Sequence, residues 1–172
     1  MSLHSISIPV FVQILNSSLQ VLDKTIAHCA AKKIDQANLL SDRLYPDMFP
    51  LVRQFQAIAD HASGASLRLA GKDAPIPPRE ETTFEALKQR LVNALAAVES
   101  VSAADVDAHA SQDITFPMGP RQVTMRGHEY LLHFAMPNFY FHATTAYNIL
   151  RHRGVEIGKR DFLGVMPGFP KA

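Results

Sequence analysis

Apolar residues recur at helical spacing through four stretches of the chain. Between residues 8 and 32, Phe11, Ile14, Leu15, Leu19, Leu22 and Ile26 fall on one side of a helix, with Ser7 as its cap and Pro9 in its first turn. Leu51, Phe55, Ile58, Ala62, Ala65 and Leu69 make a second stripe, bounded by Pro50 and Gly71. Phe84, Leu87, Leu91, Leu95 and Val98 make a third, which starts at Thr82 or Thr83, where Thr82 and Glu85 fit a capping box. The fourth stretch, residues 138–152, contains neither Gly nor Pro. There Phe141, Thr145, Asn148 and His152 share one face, and Phe139, His142, Ala146 and Ile149 share its neighbour. The spacing predicts one uninterrupted helix from Asn138 to His152, with Phe141, Thr145 and Asn148 turned inward. Pro137 marks its start or a kink, and Gly154 stops it.

The segments between are of different kinds. Residues 34–49 carry Leu39, Leu40, Leu44, Tyr45 and Met48, so this connector should pack over the helices. Residues 71–81 are Pro-rich and cannot be helical throughout. Ser102 can cap a short turn that ends near His109, which is expected to be exposed. Ile114 and Phe116, then Val123 and Met125, alternate with polar residues around the turn sequence PMGP, as in a short β-hairpin or extended segment. The tail beyond Gly154 should wrap the helices through Phe162, Leu163 and Phe169. Four helices with this insert before the last describe an all-α four-helix bundle with long connections. No repeat or boundary divides residues 1–172, which are expected to form a single domain.

Charge and composition narrow the function. A net charge of +1 gives no electrostatic case for nucleic acid or an anionic membrane. No run reads as the roughly 18 apolar residues of a membrane span, and the N-terminus lacks the basic region and cleavage site of a signal peptide. The single Cys29 excludes an intramolecular disulfide or a multi-Cys metal site and is expected to be buried. A cytoplasmic setting is expected.

The candidate chemistry is concentrated late in the chain: residues 127–164 hold four of the eight histidines. His142 reads either as a metal ligand or general base facing Asp60 or His61, or as a buried histidine held by a Tyr or a carbonyl. Asp60 lies beside the second stripe, where a carboxylate is exposed, paired with Arg, or a ligand. His152 is a further ligand candidate, or a favourable charge at a helix end. Thr145, Tyr147 and Asn148 would line the cleft, and Tyr140 and Tyr147 read as core residues with hydroxyls at the rim. His128 and His133 read as surface residues. The sequence GKRD at 158–161 lacks phosphate-loop spacing and reads as a turn in which Asp161 pairs with an Arg. Serine-hydrolase, CxxC and HExxH motifs are absent.

Two segments carry a resemblance: NFYFHATTAYNILRHRGVEIGKRDFLG, from Asn138 to Gly164, and LYPDMFPLVRQFQAIADHASGASLRLAG, from Leu44 to Gly71. The chain resembles the DinB/YfiT-like metalloenzyme superfamily, and within it an uncharacterised branch with this carboxyl-terminal signature. The resemblance implies a four-helix bundle, frequent pairing into homodimers, and a divalent metal, often nickel or zinc. Three histidines would hold that metal, one from the second helix and two from an H-x-x-x-H on the fourth, followed by R-G. Here His152-Arg153-Gly154 matches the second histidine and the R-G, and His61 or Asp60 matches the second helix. The position four before His152 is Asn148, a poor transition-metal ligand. On this alignment Asn148→His would restore the spacing.

The expected function is therefore that of a non-catalytic or small-ligand-binding DinB-like protein with a degenerate metal site and no tightly bound cofactor. The homodimer would form partly through Val165, Met166 and Phe169. The alternative is a divalent-metal-dependent enzyme of thiol-transfer or hydrolase type.

Overall fold

The computed structural model describes residues 2–168. Its long elements are α1 (Leu3–Lys32), α3 (Leu51–Leu69), α4 (Phe84–Glu99) and α7 (Met136–His152). Short helices α2 (Gln36–Ser41), α5 (Ala103–Ala108), α6 (Gly127–Glu129) and α8 (Lys159–Leu163) join or brace them. An antiparallel hairpin, β1 (Asp113–Met118) and β2 (Arg121–Arg126), precedes α6, with Phe116 opposite Val123. The chain is thus mostly helical with one two-stranded insert, as the sequence pattern implied.

The predicted stripes meet in one core. Phe11, Leu15 and Leu22 of α1, Leu51, Phe55 and Ile58 of α3, Leu87 and Leu91 of α4, and Phe139 and Ile149 of α7 are all buried. Phe11 and Phe139 touch edge to face, their centroids 5.0 Å apart. Each such side chain contributes about 1.5–3 kcal/mol by leaving water. By length and apolarity α1 could cross a membrane, with a mean hydropathy of 1.4 over its best window. That window was not evident in the sequence reading, and half of it is buried against the other helices.

The boundaries differ from expectation where local chemistry decides them. Ser2, not Ser7, caps α1, accepting from the Ser5 amide at 3.3 Å. Pro9 therefore lies inside the helix, and the Ser7 hydroxyl bonds back to the Leu3 carbonyl at 2.6 Å. Thr83 caps α4 through the Ala86 amide, one residue later than the expected box. Ser102 caps α5 as anticipated. His109 is half-buried, its Nδ1 2.8 Å from the Asp105 carbonyl. Asp161 pairs with Lys24 rather than an arginine, at 2.7 Å, and also caps α8 by accepting from the Gly158 amide. In the tail, the Leu163 carbonyl accepts from Gln13 of α1 at 2.7 Å; Phe169 lies outside the described residues.

The last long helix begins eleven residues before Asn138, at Gly127, and contains a π-helical segment over Tyr130–Ala135. Pro137 accounts for it. A proline clashes with the carbonyl four residues back and supplies no N–H, so a regular turn here is unfavourable. The chain widens instead, and the Met136 amide donates five residues back, to the Leu131 carbonyl. The Asn138 side chain donates to the Phe134 carbonyl at 2.7 Å. From Met136 to His152 the helix is uninterrupted, and it ends at Gly154 in the left-handed region at φ +84°.

Candidate functional site

Two polar stripes face each other across a pocket of about 290 Å³ between α3 and the helix that ends in α7. On α3 the stripe runs through Arg53, Asp60, His61, Gly64 and Arg68. On the other side it runs through Tyr130, Phe134, Asn138 and His142, each four residues beyond the last. In a regular α-helix every fourth residue drifts about 40° around the axis. The wider turn at Tyr130–Ala135 takes up part of that drift, so these four side chains form one wall. The Pro-rich loop closes the pocket with Pro75, Ile76 and Arg79, and the hairpin adds Phe116.

His142 is fixed by Gln54, a buried residue of α3. The Gln54 amide nitrogen donates to the Phe49 carbonyl at 2.9 Å, which turns its oxygen toward His142. That oxygen lies 2.8 Å from His142 Nδ1, so Nδ1 carries the proton and Nε2 keeps its lone pair. The ring lies between Phe49, with centroids 6.1 Å apart, and His61, with centroids 5.5 Å apart, nearly parallel to both. Burial, then the neighbouring His61 and Arg53, push His142 down to about 4, against an opposing pull from Asp60. Burial likewise brings His61 to about 4; Asp60 opposes it, while Arg68 and Arg79 add to it. Both imidazoles are therefore neutral near pH 7.

Asp60 belongs to a structural network. Its Oδ1 accepts from Arg90 at 2.5 Å, and its Oδ2 accepts two bonds from Arg79, at 3.0 and 3.1 Å. Arg90, with only 6% of its side chain exposed, also donates to Glu81 and to the Pro78 carbonyl, both at 2.7 Å. Burial raises the Glu81 pKa, but bonds from Arg90 and Gln56 outweigh it and hold the carboxyl below its usual range. The network ties the Pro-rich loop to α3 and α4. Of the three readings open for Asp60, pairing with Arg is the one realised.

The sequence-predicted site residues divide into two groups. His61, His142 and Asp60 come together on the pocket. His152 is exposed in the last turn of α7, and Asn148 is exposed one turn before it. Phe141 is also turned outward, with 56% of its surface exposed. Thr145 is buried and bonds back to the Phe141 carbonyl at 2.7 Å, while Tyr147 packs on Phe162 near α1. None of Thr145, Tyr147, Asn148 and His152 lines the pocket. The inward face is the neighbouring one, through Phe139, His142, Ala146 and Ile149, because those residues complete the apolar core. Gln54, Arg53, Arg68, Tyr130 and Asn138 were missed. A signal existed: Gln54, His61 and Arg68 recur every seven residues, a polar line beside the apolar stripe of the helix.

The i, i+4 pair that faces His61 is Asn138 and His142. This corrects the placement at Asn148 and His152. Three histidine ligands for nickel or zinc are therefore not assembled. Two neutral imidazoles are present, Asn138 occupies the third position, and Asp60 is held by two arginines. Among the described residues no group of three or more His, Cys, Asp or Glu is placed to hold a metal ion. Arg53, Arg68 and Arg79 line the pocket against the single carboxylate of Asp60, a lining that repels a cation. These residues do not fit a tightly held divalent metal.

Comparison with known proteins agrees with this architecture. A family model described as a domain of unknown function (DUF1993) matches residues 3–163. A crystal structure of a DinB family member protein from Shewanella denitrificans superposes with a TM-score of 0.89, at 39% sequence identity, over 98% of this chain and 96% of that one. No curated protein matches. The chain belongs to the DUF1993 family, an uncharacterised group of DinB-like proteins.

Proposed function

We propose that this protein is a small-molecule-binding member of the DinB/YfiT-like four-helix bundles, built around a metal site that has lost a ligand. The observation that carries the reading is Asn138, four residues before His142 and opposite His61, where a third imidazole would complete a metal triad. The pocket is at the small end of the range for ligand sites and has aromatic walls with a few convergent polar groups. The reading includes a cytoplasmic homodimer. The exposed apolar side chains of Phe141 and Val165 and the lone buried Cys29 support that part. The test is metal analysis of untagged protein, with melting curves in the presence of nickel, zinc and manganese. Substoichiometric metal and no shift with any of the three are expected. One tightly held metal per chain would move the reading to a divalent-metal-dependent enzyme of thiol-transfer or hydrolase type. Light scattering at micromolar concentration tests the dimer, and a monomer there would reject it.

A further inference from the structure

Arg68 is held in an unusual way. Its Nη1 donates to the Tyr130 hydroxyl at 3.5 Å and its Nη2 to the Ala74 carbonyl at 3.4 Å, both at the long limit of a hydrogen bond. Among the described residues it has no carboxylate partner, and neither does Arg53, which donates to Gln56 and lies over the Phe49 ring. Asp60, the only carboxylate in the pocket lining, is already shared by Arg79 and Arg90. The lining therefore has more cationic than anionic groups, and one guanidinium has weakly used donors. Gly64 supplies an independent observation. A Cβ at this position would stand 2.7 Å from Arg68 Nη1, so the guanidinium as it lies along α3 would have to shift to admit one. Glycine inside a helix costs about 1 kcal/mol relative to alanine, and α3 bears that cost at Gly64.

The walls near Arg68 are aromatic. Phe134 packs on Tyr130 at 5.7 Å, on Phe116 at 4.3 Å and on the His61 ring at 5.9 Å between centroids. A planar oxyanion suits the guanidinium fork, and an aromatic face suits a flat apolar body. We propose that the pocket binds a small organic carboxylate with a flat apolar body. The carboxylate accepts from Arg68 and the Tyr130 hydroxyl, and the body lies against Phe134 and His61. The proposal rests on the reading of the pocket as a ligand site without a metal, and it names the class of ligand. Arg53 and Arg79 contribute positive potential without needing to touch the carboxylate.

The test is calorimetric titration of the full chain with benzoate, phenylacetate and indole-3-acetate, with benzamide as neutral isostere and inorganic phosphate as bodiless anion. At least one aromatic carboxylate is expected to bind, at least tenfold tighter than benzamide and than phosphate, with affinity falling as salt is raised. Arg68→Met should weaken that binding at least tenfold. Gly64→Ala should weaken it by a similar factor while the melting temperature holds or rises, because the added methyl displaces the guanidinium but favours the helix. Unchanged binding in both variants would overturn the assignment of Arg68. Benzamide binding as tightly as benzoate would overturn the anion class and leave the ligand-site reading standing. Phosphate binding as tightly would overturn the organic body, and failure of every carboxylate to bind would overturn the proposal. Tight one-to-one metal binding by the same sample would remove the ligand-site reading beneath it.

Discussion

His142 and Gln54 are joined across the interface of α3 and α7 by a hydrogen bond of 2.8 Å from Nδ1–H to Oε1. This bond sets the tautomer of a histidine with 8% of its surface exposed, and it ties the α7 wall of the pocket to the α3 wall. Gln54→Ala should therefore cost more than its exposed counterparts. It strands the His142 donor and the Phe49 carbonyl together, and an unsatisfied buried polar group costs about 1–3 kcal/mol. Urea denaturation would read the loss, and a change under 0.5 kcal/mol would contradict the role given to Gln54.

Acid should loosen the pocket through its two imidazoles. The folded-state values of His61 and His142 are about 4, below the ordinary value of 6.5. The unfolded chain therefore takes up protons first. Stability from the neutral pair is complete above about pH 6.5 and is lost as pH falls from there to 4, at ~1.4 kcal/mol per pH unit for each proton taken up. Asp60, Arg53, Arg68 and Arg79 line the same pocket as the pair. Melting temperatures measured from pH 7.5 to 4 should decline more steeply in the parent than in His142→Gln. Equal slopes would show that the pair does not titrate as described.

Arg90 should be among the most sensitive positions outside the apolar core. Arg90→Met removes the buried partner that Asp60 and Glu81 share and frees the Pro77 and Pro78 carbonyls, leaving Asp60 to Arg79 and Glu81 to Gln56. Breaking one member out of a buried ion network typically costs about 3–5 kcal/mol. Arg79→Met, whose side chain is 40% exposed, should cost far less because Asp60 keeps Arg90. Denaturant midpoints of the two variants would show the contrast, and similar losses would contradict it.

The helices were legible because each carries an unbroken apolar stripe that has to be buried. The hairpin was legible from the alternation around Gly119. Which face of α7 turns inward was misread, although Phe139, Ala146 and Ile149 make the neighbouring face the more apolar one. Its true start was hidden as well. Pro137 looks like a beginning in sequence, yet the preceding residues continue the helix through a wider turn, a compensation that needs tertiary packing around Tyr130 and Leu131. His61, Asp60 and His142 were recognisable as chemistry-bearing residues. Their division of labour was not, because Arg79 and Arg90 reach Asp60 from 19 and 30 residues away.

The exposed positions of Asn148 and His152 have their own consequence. Asn148→His would pair with His152 on the exposed end of α7, outside the pocket. Any nickel it gains should be held by that surface pair alone, so adding His61→Ala to the same variant should leave the affinity unchanged. A loss of affinity in the double variant would place His61 in that site after all.

The most direct measurement is a calorimetric titration of untagged parent and Asn138→His with zinc and with nickel. The parent, with two neutral imidazoles and a guanidinium-lined pocket, should show no tight one-to-one binding. The variant, with a third imidazole four residues before His142 and facing His61, should bind at least tenfold more strongly. A parent that already binds one metal per chain tightly, or a variant that gains nothing, would contradict the proposal that Asn138 stands where a metal triad needs its third ligand.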